Sequence, residues 1–179
     1  MQFPDHPFWD FSLATYGRAG TADACLALQE AHGADVNILL FCAWAGCNGV
    51  RLDRAQIELA RGAVREWHKE VVTPLRSVRR RLKTALDDAA PGDLQSALRA
   101  RIQKIEIDAE HIEQLRLAGR ADIFEGAEFG RSGAAAPDGA AARANMEAYL
   151  SVLGSAAGAE ADAALAAISA AACRSYAGR

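Results

Sequence analysis

Residues 36–46 read VNILLFCAWAG, and this stretch decides the fold. Apart from Asn37, every residue in it is apolar or small, so a helix formed here has no polar face to present to water. Asp35 stands directly before the stretch as a helix N-cap, and Gly46 ends it. Because a helix that is apolar on all sides belongs at the centre of a core, we predict a buried central helix over residues 36–45.

The segments around this helix have the pattern of amphipathic helices. Apolar residues recur at helical spacing over residues 54–72, 74–89 and 94–118, and an aromatic-rich N-terminus precedes the central helix. In a chain of 179 residues, Val, Ile and Thr together number only 19, too few for a fold dominated by a sheet. The sequence therefore predicts an all-α fold, a multi-helical bundle around the buried central helix.

The apolar spacing also predicts which faces turn inward. In the 74–89 segment we expect Val78 to face inward and Arg76 to face outward. In the 94–118 segment the predicted apolar stripe includes Leu98 and Ile105. A short turn between two such helices makes an antiparallel hairpin.

The composition divides the chain into three parts. We predict a helical core domain over residues 1–125, a flexible linker rich in Gly, Ala and Pro over residues 126–139, and an Ala-rich helical hairpin over residues 140–179. Alanine side chains bury little area, so this hairpin has to pack against the core or against a second copy of the chain. A homodimer through the hairpin is therefore one predicted partnership.

The chain has the features of a cytoplasmic protein. Its N-terminus, MQFPDHPFWDF, lacks the basic and apolar regions of a signal peptide. The longest apolar run, residues 38–45, is far shorter than the ~20 residues of a spanning helix, so we predict no membrane span. The four cysteines show no zinc-finger spacing and are interpreted as reduced packing residues.

Part of the chain resembles a known family. The segments FWDFSLATYG, ACLALQEAHGADVNILLFCAWAG and VVTPLRSVRRRLK are similar to an uncharacterised family of small proteobacterial proteins, a domain-of-unknown-function family. The resemblance covers residues 8 to about 118. It implies a bacterial, cytoplasmic origin and carries no activity, cofactor or site residue over to this chain.

The densest charge feature lies in the 74–89 segment, which places five basic residues within eight positions: Arg76, Arg79, Arg80, Arg81 and Lys83. Guanidinium groups bind carboxylates and phosphates bidentately. The leading interpretation is a non-catalytic interaction or regulatory protein whose basic face contacts an acidic or anionic partner. Alternatively, Glu106, Glu110 and Glu113 neutralise this face internally. Nucleic acid is not favoured as a partner, because the net charge is −3 and no aromatic residues interrupt the basic run.

A second interpretation concerns the aromatic residues. A pocket between the aromatic N-terminus and the central helix could hold an apolar or isoprenoid-like ligand, in a binding protein or a cryptic enzyme. Its candidate lining residues are Trp9, Tyr16, Asn37, Phe41 and Trp44. The alternative is that these rings simply form the core.

Catalytic signals are weak. Asp108 and His111 stand at D-x-x-H spacing, but no second motif completes a di-iron site. No nucleophile elbow, phosphate-binding loop or dinucleotide motif is present. We therefore assign no catalytic residue, metal site or cofactor from the sequence, and favour a role without catalysis.

Overall fold

The fold is all-α, as predicted. In the computed structural model, residues 3–84, 92–120, 137–155 and 158–177 are described, and every regular element within these ranges is helical. None of these helices combines the length and apolar character needed to cross a lipid bilayer. The elements are α1 (Pro7–Tyr16), α2 (Thr21–His32), α3 (Val36–Cys47), α4 (Arg54–Trp67), a π-helical segment (His68–Val72), α5 (Thr73–Arg81), α6 (Gly92–Ala118), α7 (Gly139–Val152) and α8 (Ala159–Ala177).

Helix α3 is buried along its length. Every residue from Asn37 to Cys47 is buried, as its sequence requires. Its N-terminus is capped by Asp35, whose Oδ1 accepts the N–H of Asn37 at 2.8 Å. The helix extends past the predicted end at residue 45 to Cys47, with Asn48 as its C-cap.

Helix α7 packs against both ends of α3. At one end the hydroxyl of Tyr149 accepts the backbone N–H of Asp35 at 2.9 Å. At the other, the side chain of Asn145 accepts the N–H of Leu52 at 2.9 Å and donates to the carbonyls of Cys42 and Val50. The region predicted as an appended hairpin thus contributes α7 and α8 to the same core as α3. The predicted linker at 126–139 lies mostly outside the described residues, and the homodimer through the hairpin stays a prediction.

The contact between α3 and α7 is close enough to require glycine at position 46. A Cβ built on Gly46 would lie 2.2 Å from both the backbone N and the Cα of Ala142, closer than atoms can approach. The obstructing atoms are backbone, so no side-chain rotation can relieve the overlap. The two helices would have to move apart.

We therefore expect Gly46→Ala to lower the free energy of unfolding by about 3 kcal/mol, because overpacking of a core displaces backbone. The matched control is Gly62→Ala in α4, where an added Cβ meets nothing within 4 Å. There alanine should stabilise the helix by up to about 1 kcal/mol. Urea denaturation of both variants measures the two effects, and equal stabilities would contradict the close contact.

Helices α4 and α5 form one continuous helical run that widens at the π-helical segment. The N–H of Thr73 donates to the carbonyl of His68, five residues back. Pro74 follows, and a proline inside a helix has no N–H for the carbonyl four residues earlier and its ring crowds that carbonyl. The wider turn accommodates the proline. The predicted helices at 54–72 and 74–89 are thus joined, α5 ends at Arg81, and residues 85–89 lie outside the described residues.

The prediction of which faces of α5 and α6 point into the core is wrong in part. Val78, Leu98 and Ile105 were expected to face inward, yet all three are exposed. Acidic side chains of α6, including Glu106 and Glu113, are buried instead. The reason is pairing across the helices, because buried carboxylates need cationic or hydrogen-bonding partners. The arginines of α5 pair with Glu106, whereas Glu113 pairs with His68 and Asn37.

Candidate ligand-binding site

A cleft of about 390 Å³ opens among α1, α2, α3, α5 and α6. Its apolar lining comes from Trp9, Leu13, Leu26, Val36, Leu40 and Ile107. Its polar lining comes from Ser12, Tyr16, Gln29, Asn37, Arg76, Arg79, Arg80, Gln103, Glu106, Glu110 and Gln114. This size and mixture of surfaces are typical of pockets that bind small molecules. We call this feature the cleft.

One side of the cleft is an ion-pair network between α5 and α6. Arg76 is only 16% exposed, and its guanidinium donates to Glu106 at 3.1 Å and to Glu110 at 2.6 Å. It also contacts the side-chain carbonyl of Gln29. Arg79 forms a bidentate pair with Glu106. The expectation that Arg76 faces outward is therefore wrong. The side chain of Arg76 lies beneath the basic surface and links α5 to α2 and α6.

The remaining basic residues lie on the surface. Arg80 is 49% exposed, and its ion pair with Glu30 is a long one at 3.7 Å. Arg81 and Lys83 are exposed as well. The predicted basic cluster therefore divides into an internal pair and an external group of three.

The ion pairs change the pKa values of the two glutamates differently. Burial opposes ionisation of Glu106, but hydrogen bonds from Arg79 and Arg76 hold its pKa below the ordinary value. Burial raises the pKa of Glu110, and the charge of Arg76 offsets this only in part. The network thus contains one firmly ionised carboxylate and one whose charge depends on Arg76.

Two buried polar atoms in the lining have no hydrogen-bond partner within the described part of the chain. These are the hydroxyl of Ser12 and the side-chain carbonyl of Gln114. Both residues are almost completely buried. An unpaired buried polar atom costs roughly 1 to 3 kcal/mol, so such atoms call for a partner.

The structure brings together some of the predicted pocket residues. Trp9, Tyr16 and Asn37 line the cleft. Phe41 and Trp44 do not, because they pack in the core against Phe8, with ring centroids 5.6 Å and 5.1 Å from it.

His111, the histidine of the D-x-x-H pair, is buried beside the cleft residue Trp9. Its ring is stacked on Trp9, with a centroid distance of 4.0 Å. Burial lowers the pKa of His111, so the stacking partner of the indole is an imidazole that favours its neutral form.

Beside the cleft lies a second polar group that the sequence analysis did not find. Nδ1 of His68 lies 2.9 Å from Oδ2 of Asp35 and 3.0 Å from Oε1 of Glu113. We call these three residues the ionic cluster. They come from the N-cap of α3, the π-helical segment and α6, so no local spacing links them. Two features of the sequence could have pointed to this cluster. One is Pro74, which disturbs the helix just after His68, and the other is Asn37, a polar residue in an apolar helix.

The ionic cluster has strongly displaced pKa values. Burial disfavours the imidazolium, but hydrogen bonds to both carboxylates raise the pKa of His68 to about 10. Burial also opposes ionisation of Asp35, yet His68 keeps its pKa below the ordinary value. Burial and the charge of Asp35 raise the pKa of Glu113 to about 8. The imidazolium of His68 therefore holds Asp35 ionised, whereas Glu113 favours its protonated form at neutral pH.

Asn37 connects the cleft with the ionic cluster. Its amide Nδ2 donates to Oε2 of Glu113 at 2.8 Å, and its Oδ1 accepts from Gln114 at 2.8 Å. The expected partner for this buried amide is thus a carboxylate of α6. Both features lie within the region that matches a known family profile. The chain belongs to DUF2390. This family consists of proteins of unknown function, and the match covers residues 7–117.

The match confirms the resemblance noted in the sequence. Every residue that lines the cleft or forms the ionic cluster lies in the DUF2390 region, whereas α7 and α8 follow it. No curated protein and no solved structure is significantly similar to the chain. Inference about function therefore rests on the geometry of the two sites.

The ion-pair network predicts a difference between two neighbouring arginines. Arg76→Ala should lower the free energy of unfolding by roughly 2 to 4 kcal/mol, because it leaves buried carboxylates without their cation. Arg80→Ala should change it by less than about 0.5 kcal/mol, since exposed ion pairs contribute little. Chemical denaturation of both variants measures this, and a stable Arg76→Ala protein would show that the network is not structural.

Proposed function

We propose that the chain binds a small amphipathic anion in the cleft. The apolar body of the ligand lies against the wall that includes Leu13, Leu40 and Ile107, and its carboxylate or phosphate faces the arginines. The observation that carries this proposal is the convergence, in one concave space, of an apolar wall and guanidinium groups, with the unpaired polar atoms of Ser12 and Gln114 buried directly beneath the lining. The proposal unites the basic face and the aromatic pocket of the sequence analysis.

The charge of the lining favours an anion. Three arginines and two glutamates line the cleft, which leaves an excess of one positive charge. Arg76 and Arg79 are engaged with those glutamates, whereas Arg80 has, within the described ranges, only its long pair with exposed Glu30. A ligand anion can therefore pair with Arg80 without breaking a buried interaction. A bidentate guanidinium pair of this kind also fixes the orientation of the ligand.

The polar atoms beneath the lining add specificity. The carbonyl of Gln114 can only accept a hydrogen bond, and the hydroxyl of Ser12 can donate or accept one. Because this carbonyl is buried, a ligand hydroxyl or amide N–H between the apolar body and the anionic group would pair with it only after the Gln114 side chain turns towards the cleft. The expected chemical class is therefore an organic acid or phosphate with an apolar tail and one further polar group.

The test uses the fluorescent amphipathic anion 8-anilinonaphthalene-1-sulfonate, displaced by decanoate or decyl phosphate. Ile107→Asp should weaken binding at least tenfold, because it places a negative charge in the apolar lining. The matched control is Ile105→Asp, two residues away on α6, since Ile105 is also exposed but does not line the cleft. Equal affinities for the two variants would contradict the proposal.

A second candidate function rests on the external basic group, Arg80, Arg81 and Lys83. Their exposure favours contact with an acidic protein surface, the leading interpretation of the sequence. Such contacts act over the Debye length and weaken with salt.

The second candidate predicts that the chain binds poly-glutamate at low ionic strength. The double variant Arg81→Glu and Lys83→Glu should lose this binding and keep the thermal midpoint. Arg65→Glu with Arg174→Glu gives the same net charge with exposed sites on α4 and α8, and should still bind. Equal loss in both variants would mean that net charge alone is responsible.

A further inference from the structure

We propose that the ionic cluster is a binding site for one divalent first-row transition-metal ion, with Asp35, His68 and Glu113 as its protein ligands. The inference does not rest on the function proposed for the cleft. The cluster offers one imidazole nitrogen and two carboxylate oxygens, and these ligand atoms all lie within 4.8 Å of one another. Three protein ligands with the remaining positions left to water are typical of metal sites that are open to exchange.

The separations between the ligand atoms suit such an ion. In a six-coordinate complex with bonds of about 2.1 Å, neighbouring ligand atoms lie about 3.0 Å apart. Nδ1 of His68 lies 2.9 Å and 3.0 Å from the nearest oxygens of Asp35 and Glu113. An ion can therefore be accommodated with small movements of the side chains. On binding, His68 releases its Nδ1 proton and Glu113 releases any proton that it holds, both to solvent, and the metal ion takes their place.

Both carboxylates are already held in position for a metal. Oδ1 of Asp35 accepts the backbone N–H of Asn37, and Oε2 of Glu113 accepts from the amide Nδ2 of the same residue. One oxygen of each carboxylate is thus fixed by Asn37, and the other is directed towards His68. Hydrogen bonds that fix the ligand side chains in this way are a regular feature of metal sites.

The charges of the cluster suit a divalent cation. Two ionised carboxylates carry two negative charges, and Glu113 is completely buried, so its carboxylate needs a positive charge beside it. A divalent ion with a neutral imidazole neutralises both carboxylates.

The site also has a route from solvent. The side chain of His68 is 25% exposed, while those of Asp35 and Glu113 are buried. His68 begins the π-helical segment, and π-helical turns occur frequently at functional sites. The ion can therefore enter past the imidazole and bind the carboxylates behind it.

The ligand set favours Mn²⁺, Fe²⁺ or Zn²⁺, because carboxylates suit harder ions and imidazole suits the transition metals. Mn²⁺ is the probe of choice. Thiolates are soft ligands that select other metals, so Mn²⁺ avoids the four free cysteines. Electron paramagnetic resonance of the full chain, after dialysis against a chelator, measures free and bound Mn²⁺ directly.

We expect one Mn²⁺ per chain, and an electron spin echo signal from a single imidazole nitrogen ligand. His68→Gln and Glu113→Gln should weaken binding at least tenfold. The Glu113→Gln side chain keeps an oxygen acceptor for Asn37, which preserves the fold, and circular dichroism verifies this. His32→Gln is the matched histidine control and should bind like the wild type.

Three results would overturn the proposal. They are no bound Mn²⁺ or Zn²⁺ at millimolar concentration, full affinity in a folded His68→Gln protein, and bound Mn²⁺ in the wild type without an imidazole signal. The imidazole signal is measured on the wild-type protein, so this test does not depend on whether a variant folds. Loss of anion binding in the cleft with retained Mn²⁺ binding, or the reverse, would separate this inference from the proposed function.

Discussion

The structure depends on the burial of a helix that is apolar on every side. Because α3 has no solvent face, the chain must cover it completely, and its own neighbours in sequence do not suffice. Helix α7 supplies part of the cover, at a distance so short that position 46 must be glycine. A long-range contact of this kind links residues near 46 with residues near 142 and gives the Ala-rich C-terminal helices their role in the core.

The same burial has a consequence for polar groups. The first turn of α3 carries Asp35 and Asn37 into the protein, and each needs hydrogen-bond partners there. The hydroxyl of Tyr149 accepts the N–H of Asp35, and Oε2 of Glu113 accepts from the amide of Asn37. Helix α6 therefore turns a polar face inward, and Arg76 follows to pair with Glu106 and Glu110. The apolar residues of α6 that this rotation displaces, such as Ile105, lie at the surface.

Some of this could be predicted from the sequence and some could not. The identity of α3 and the all-α fold follow from composition and periodicity, which are local properties. The inward face of α6 could not be predicted, because apolar spacing assigns faces on the assumption that charged residues seek water. That assumption fails where two helices bring complementary charges together. The ionic cluster was missed for a related reason, since its three members are far apart in the chain and Asp35 was already explained as a cap.

Asn37 places the two proposed sites in one hydrogen-bonded unit. Its amide lines the cleft, accepts from Gln114 and donates to Glu113, so it cannot turn without losing a bond on both sides. The unpaired carbonyl of Gln114 belongs to the same unit. The single polar residue of an otherwise apolar helix is thus the point at which the lining of the cleft meets the buried carboxylates.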